Sequence, residues 1–100
     1  MTAIENDFEK IHAILDYLVV EFPDCSIGHH YGGRHRAEIF TLKYRNRQFL
    51  ISFSNKFIKD TLVDEIPAKL KSFQLEKQIR KDKASQIIVT NSGLKFEDQE

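Results

Sequence analysis

The segment Cys25-Ser-Ile-Gly-His29-His30-Tyr31-Gly-Gly-Arg34-His35-Arg36 gathers most of the side chains in this sequence that could hold a metal, move a proton or meet an anion. Three chemistries can be written on it. Thiolate and imidazole bind metals, and Cys25, His29 and His35 would supply three ligands. Structural metal sites take their ligands in close pairs, however, and no second Cys or His pair completes the set; His12 lies apart. No metal and no other cofactor is expected. A nucleophilic Cys25 needs a histidine within hydrogen-bond reach, whereas His29, two positions along a strand, stands about 7 Å away. A lone cysteine at a strand start reads instead as a small apolar residue. A metal-free ribonuclease would use histidine to move protons and arginine to stabilise phosphate charge. Tyr31, Arg34, His35 and Arg36 are of the right types, but no spacing ties them together. Phosphate-binding glycine loops, zinc-ligand pairs, hydrolase elbows and dinucleotide fingerprints do not occur in the sequence.

Charge distribution carries more information than any motif. The 100 residues hold 15 basic and 15 acidic side chains, so the net formal charge is zero. Residues 1–25 nevertheless set Glu5, Asp7, Glu9, Asp16, Glu21 and Asp24 against Lys10 alone. Residues 26–59 set Arg34, Arg36, Lys43, Arg45, Arg47, Lys56 and Lys59 against Glu38. An acidic first quarter therefore precedes a basic middle, to which three histidines add charge under mildly acidic conditions.

These side chains must be positioned by elements that the apolar pattern predicts. Ile4, Phe8, Ile11, Ile14, Leu15, Leu18, Val19 and Phe22 recur at three- and four-residue steps and predict an amphipathic helix over 4–22, with its acids toward water and Pro23 as its stop. Cys25–Tyr31 reads as a first strand, and Gly32–Arg36 as a mobile loop. Two alternating runs, 38–44 and 48–54, predict a hairpin about Asn46-Arg47 that sets Tyr44 opposite Phe49, Leu42 opposite Ile51 and Phe40 opposite Phe53. That division leaves Ile39, Thr41, Lys43, Arg45, Gln48, Leu50, Ser52 and Ser54 on the other face. Asn55 is the expected cap of a helix over 56–65, with Phe57, Ile58, Leu62 and Val63 inward. A bend follows at Ile66-Pro67, then a second helix to Lys81 by propensity, although Phe73, Leu75 and Ile79 also fit the alternation of a strand. Gln86–Thr90 predicts a fourth strand, closed by Asn91-Ser92-Gly93.

The expectation is an α+β protein: a single small domain over 1–96 in the order α-β-β-β-α-α-β, with helices on one face of a mainly antiparallel sheet, and a disordered acidic tail over 97–100. One cysteine permits no internal disulfide. The acidic start is unlike a signal peptide, and no apolar run approaches the roughly 20 residues of a membrane span, so a cytoplasmic accessory protein without membrane contact is expected. The α-β-β-β-α order loosely resembles the double-stranded-RNA-binding domain, but the lysine-rich start of that family's second helix is reduced here to Lys56 and Lys59, and no membership follows. The favoured function is non-catalytic binding of DNA or RNA through residues 29–47, with His29, His30, Tyr31, Arg34, His35, Arg36, Lys43, Arg45 and Arg47 as contacts. The alternative is a protein-interaction or self-association domain, in which the same basic surface meets an acidic partner or the acidic first helix of a second copy.

Overall fold

A computed structural model describes residues 7–32, 37–81 and 86–97. Helix α1 (Asp7–Glu21) is followed by strands β1 (Ser26–Gly32), β2 (Ala37–Tyr44) and β3 (Arg47–Ser54). Helix α2 (Asn55–Asp60), a 3-10 turn over Val63–Glu65, and helices α3 (Ile66–Ser72) and α4 (Leu75–Lys81) come next, then β4 (Gln86–Thr90) and β5 (Gly93–Glu97). The expected α+β order holds, with one strand more than expected. The five strands form one sheet in the order β1-β2-β3-β4-β5, antiparallel except between β3 and β4. Among the described residues no helix is long and apolar enough to cross a membrane.

The hairpin faces are as the alternation predicts, but the register is two residues tighter. Leu42 lies opposite Phe49, Phe40 opposite Ile51 and Glu38 opposite Phe53, and the turn is the pair Arg45-Asn46. A slip of two preserves the faces because side chains alternate with period two. The tight turn requires Arg45 to adopt φ 55°, the left-handed region that glycine usually fills. On the apolar face Phe40, Leu42, Ile51, Phe53, Ile87 and Val89 join Ile14, Leu18, Phe57, Ile66, Leu70, Leu75 and Ile79 of the helices in one buried cluster. A row of rings runs through it, from Phe40 edge-on to Phe53 at 5.3 Å, to Phe57 at 5.8 Å, to Phe73 at 6.5 Å.

The helical stretch between β3 and β4 departs most from expectation. Ser54, not Asn55, caps α2, its hydroxyl accepting from the Phe57 amide at 3.1 Å. The helix expected over 56–65 breaks at Thr61, whose backbone is extended. The Glu65 carboxylate accepts from the Leu62 amide at 3.1 Å and starts the next turn, so Leu62 points outward at 54% exposure. Pro67 sits in the first turn of α3 as expected, but the chain bends later, at Phe73-Gln74, where Gln74 takes φ 59°. Strand β5 was not foreseen, and Glu97, assigned to the tail, closes it. Strand β1 is set one residue later than expected and takes in Gly32, whose missing Cβ would stand 2.5 Å from Ile39 Cδ1. Residues 33–36, the rest of the expected loop, and 98–100 lie outside the described residues, as do 4–6 of the first helix. On α1, Phe8 and Val19 are exposed rather than inward, while Tyr17 and Lys10 are buried.

Lys10 is 4% exposed, and its Nζ donates to the carbonyl of Ile58 at 2.7 Å and of Lys59 at 3.4 Å. These carbonyls belong to the last turn of α2, where helix geometry leaves acceptors without intrahelical partners and favours positive charge. Replacing Lys10 by Met keeps the bulk and removes the donor. Chemical denaturation of Lys10→Met should show a loss of about 1.5–3 kcal/mol, the range for hydrogen bonds to charged groups; a loss under about 0.5 kcal/mol would mean that the bond is replaced by water at no cost.

Burial, and then the charges of Glu21 and Glu76, hold the Tyr17 hydroxyl above the usual tyrosine range, against the opposing effect of a backbone hydrogen bond with Glu76. A folded pKa raised above the unfolded value means that the folded chain keeps this proton more tightly. The contribution is whole below about pH 10 and is lost as pH rises through the folded value. Urea unfolding between pH 9 and 11 should therefore lose stability less steeply in Tyr17→Phe than in the parent chain, and equal slopes would remove Tyr17 as the cause.

Candidate functional site

Lys43 and Tyr44 end β2, Arg45 and Asn46 turn, and Arg47 opens β3, so the sequence Lys-Tyr-Arg-Asn-Arg places three cations at one end of the hairpin. The Arg45 guanidinium lies over the Tyr44 ring at 5.2 Å, and that of Arg47 over the Phe49 ring at 5.1 Å. Stacking on a ring keeps a guanidinium extended while its N–H edge stays available. Lys43, Arg45 and Arg47 are all exposed, and none of them makes an ion pair among the described residues.

The register divides the expected contacts between faces and ends. His30 and Lys43 lie on the face away from the core, beside Gly28, Thr41 and Gln48, and with Ser26, Ile27 and His29 of edge strand β1 these residues border a shallow depression. His29 and Tyr31 are on the other face. His29 Nε2 donates to the Glu38 carboxylate at 2.6 Å with its ring against Phe40 at 4.7 Å, and the Tyr31 hydroxyl accepts from Asn55 Nδ2 at 3.2 Å. Arg34, His35 and Arg36 lie outside the described residues. They link Gly32 to Ala37, at the end of β2 opposite the turn, and seven strand steps from Ala37 to Tyr44 span about 23 Å. Lys43, Arg45 and Arg47 therefore share one end of the hairpin, with Lys43 on the face away from the core and Arg47 on the face toward the helices. His29 and Tyr31 form a separate polar group near the start of α2.

Sequence reading missed a cleft of about 220 Å³ beneath the hairpin end, lined by Phe22, Asp24, Cys25, Leu42, Tyr44, Arg47, Phe49, Ile79 and Arg80. Arg80 comes from α4. Its Nε donates to Glu76 Oε1 at 2.6 Å, its Nη2 to the Glu21 carbonyl at 2.8 Å, and its guanidinium covers the Phe22 ring at 5.0 Å. The Glu76/Arg80 spacing of four is readable as a helical ion pair. That it reaches across to α1 and the hairpin is not. Cys25 is half-buried in this cleft, and the histidine once considered for its activation is engaged with Glu38. Among the described residues no group of three or more His, Cys, Asp or Glu could hold a metal ion.

No family model, curated protein or solved structure matches this chain. Its site is therefore read from its own geometry.

The His29–Glu38 link joins edge strand β1 to β2, with side chains 27% and 13% exposed. A double-mutant cycle through His29→Ala and Glu38→Ala should yield a coupling energy of about 1 kcal/mol at neutral pH. Strictly additive losses would show that the pair adds nothing beyond its separate packing.

Proposed function

We propose that this chain is a non-catalytic binding module that contacts the phosphate backbone of nucleic acid through the end of the β2–β3 hairpin. The supporting observation is the set Lys43, Arg45 and Arg47, exposed, free of carboxylate partners among the described residues, and with both guanidiniums propped on rings. Point charges and guanidinium forks of this kind suit phosphate oxygens, which attract cations without regard to base sequence. The open sheet face favours phosphate contact over base reading. Its centre is Ile39, Leu50 and Ile88, and on β1–β3 it carries no Phe, Tyr or Trp on which bases could stack.

A second reading draws on that same face. Ile39, Leu50 and Ile88 are half-buried at the middle of a sheet side whose rim carries His30, Lys43 and Lys95, an arrangement suited to protein contact or self-association. The exposed acids Glu9 and Asp16 of α1 on another copy would complement the basic hairpin end.

Fluorescence anisotropy with short labelled single- and double-stranded DNA and RNA, over a salt series, tests the first reading. Three phosphate contacts predict a log K against log salt slope of about −2.7 on duplex DNA, and Lys43→Ala/Arg45→Ala should lower the affinity and flatten that slope by about 2. Absence of binding at low salt sinks the reading. Sedimentation of the same samples then decides for or against self-association.

A further inference from the structure

Asp24, in the turn before β1, and Arg47, at the start of β3, line one cleft, and among the described residues neither makes an ion pair, with the other or with any group. We propose that this cleft binds a small zwitterion with an apolar body, an aliphatic or aromatic α-amino acid. Its carboxylate meets the Arg47 guanidinium, its ammonium meets Asp24, and its side chain lies on the apolar floor.

That floor is Phe22, Leu42 and Ile79, each no more than 4% exposed. Apolar walls exclude water and strengthen charge interactions at the mouth. Arg80 is already engaged by Glu76 and by the Glu21 carbonyl, which leaves Arg47 as the guanidinium with a free fork for a carboxylate. Size narrows the ligand class. About 220 Å³ lies below the roughly 300–1,000 Å³ of sites for drug-sized ligands. Asp24 would repel the phosphate of a nucleotide. A ligand with a single charge would leave either Asp24 or Arg47 unanswered. Neither Lys43 nor Arg45 lines the cleft, and Arg47 alone is shared with the proposed nucleic-acid contact, so Lys43→Ala separates the two readings.

The test is an amide NMR titration of the full chain with L-phenylalanine and L-leucine, beside 3-phenylpropionate, which lacks the ammonium, and phenethylamine, which lacks the carboxylate. At least one amino acid should produce saturable shifts at Cys25, Leu42 and Phe49, and each singly charged analogue should bind about tenfold more weakly or worse. The one cysteine of the chain supplies a second readout, because alkylation of Cys25 by iodoacetamide should slow in the presence of the amino acid. That protection should be lost in Asp24→Asn and in Arg47→Gln, and kept in Lys43→Ala. Absence of saturable shifts with both amino acids overturns the proposal. So does equal affinity for the singly charged analogues, a comparison made on the parent chain that does not depend on whether a variant folds.

Discussion

The parallel pairing of β3 with β4 constrains everything around it. An antiparallel neighbour can follow through a two-residue turn, but a parallel one requires the chain to travel back along the sheet before it re-enters. Here residues 55–85 make that return, and they hold α2, the 3-10 turn, α3 and α4. Their apolar side chains, with those of α1, share one buried cluster with a single side of the sheet. The other side is left to Thr41, Lys43, Gln48, Leu50 and their neighbours. The position of the crossover thus decides which basic residues can reach an outside partner over the sheet, as Lys43 and His30 do, and which border the helical layer, as Arg47 does.

A crossover made of short helices creates many helix ends, and each end leaves backbone groups in need of partners. The chain meets this with side chains borrowed from elsewhere. Ser54 caps the start of α2, Glu65 holds the Leu62 amide, and Lys10 reaches from α1 to the last carbonyls of α2. The Lys10 contact explains why the first helix buries a lysine although apolar residues were available. Thr61 is the exception: fully buried, with its hydroxyl unpartnered among the described residues, it carries a desolvation cost of about 1–3 kcal/mol. The β-branched side chain at that position suits the extended backbone that separates α2 from the following turn.

What could be read in the sequence follows from period and sign. The two faces of the hairpin were legible because a strand alternates strictly, and they survived a register error of two residues for the same reason. The register itself was not legible, since Arg45 occupies a left-handed turn position that side chains rarely take and nothing in its neighbours announces it. Helix content over 55–81 was legible from propensity, whereas its breaks at Thr61 and Gln74 depend on local capture of amides and on packing partners distant in sequence. Strand β5 carries an apolar alternation, Leu94 and Phe96, but it is short and stands before acids that read as a tail. Basic character in residues 26–59 was legible as a sum. Its division between the two ends of β2 and the two faces of the sheet is a matter of topology, as is the meeting of Arg47 with Arg80 across 33 positions in one cleft.

Screening bears on how a neutral chain can carry a cationic site. At physiological ionic strength charge is screened over about 8 Å, so the sign of a local cluster is set by its near neighbours and not by the sum over the chain. Overall neutrality is thus compatible with a local cationic site. Asp24 shares the cleft with Arg47, and among the described residues the two do not pair. On the two proposals above, Arg47 belongs both to the phosphate-contacting edge and to the zwitterion cleft, so a guanidinium turned into the cleft to hold a carboxylate would be withdrawn from the edge, and by linkage the two ligands would weaken each other by the same factor.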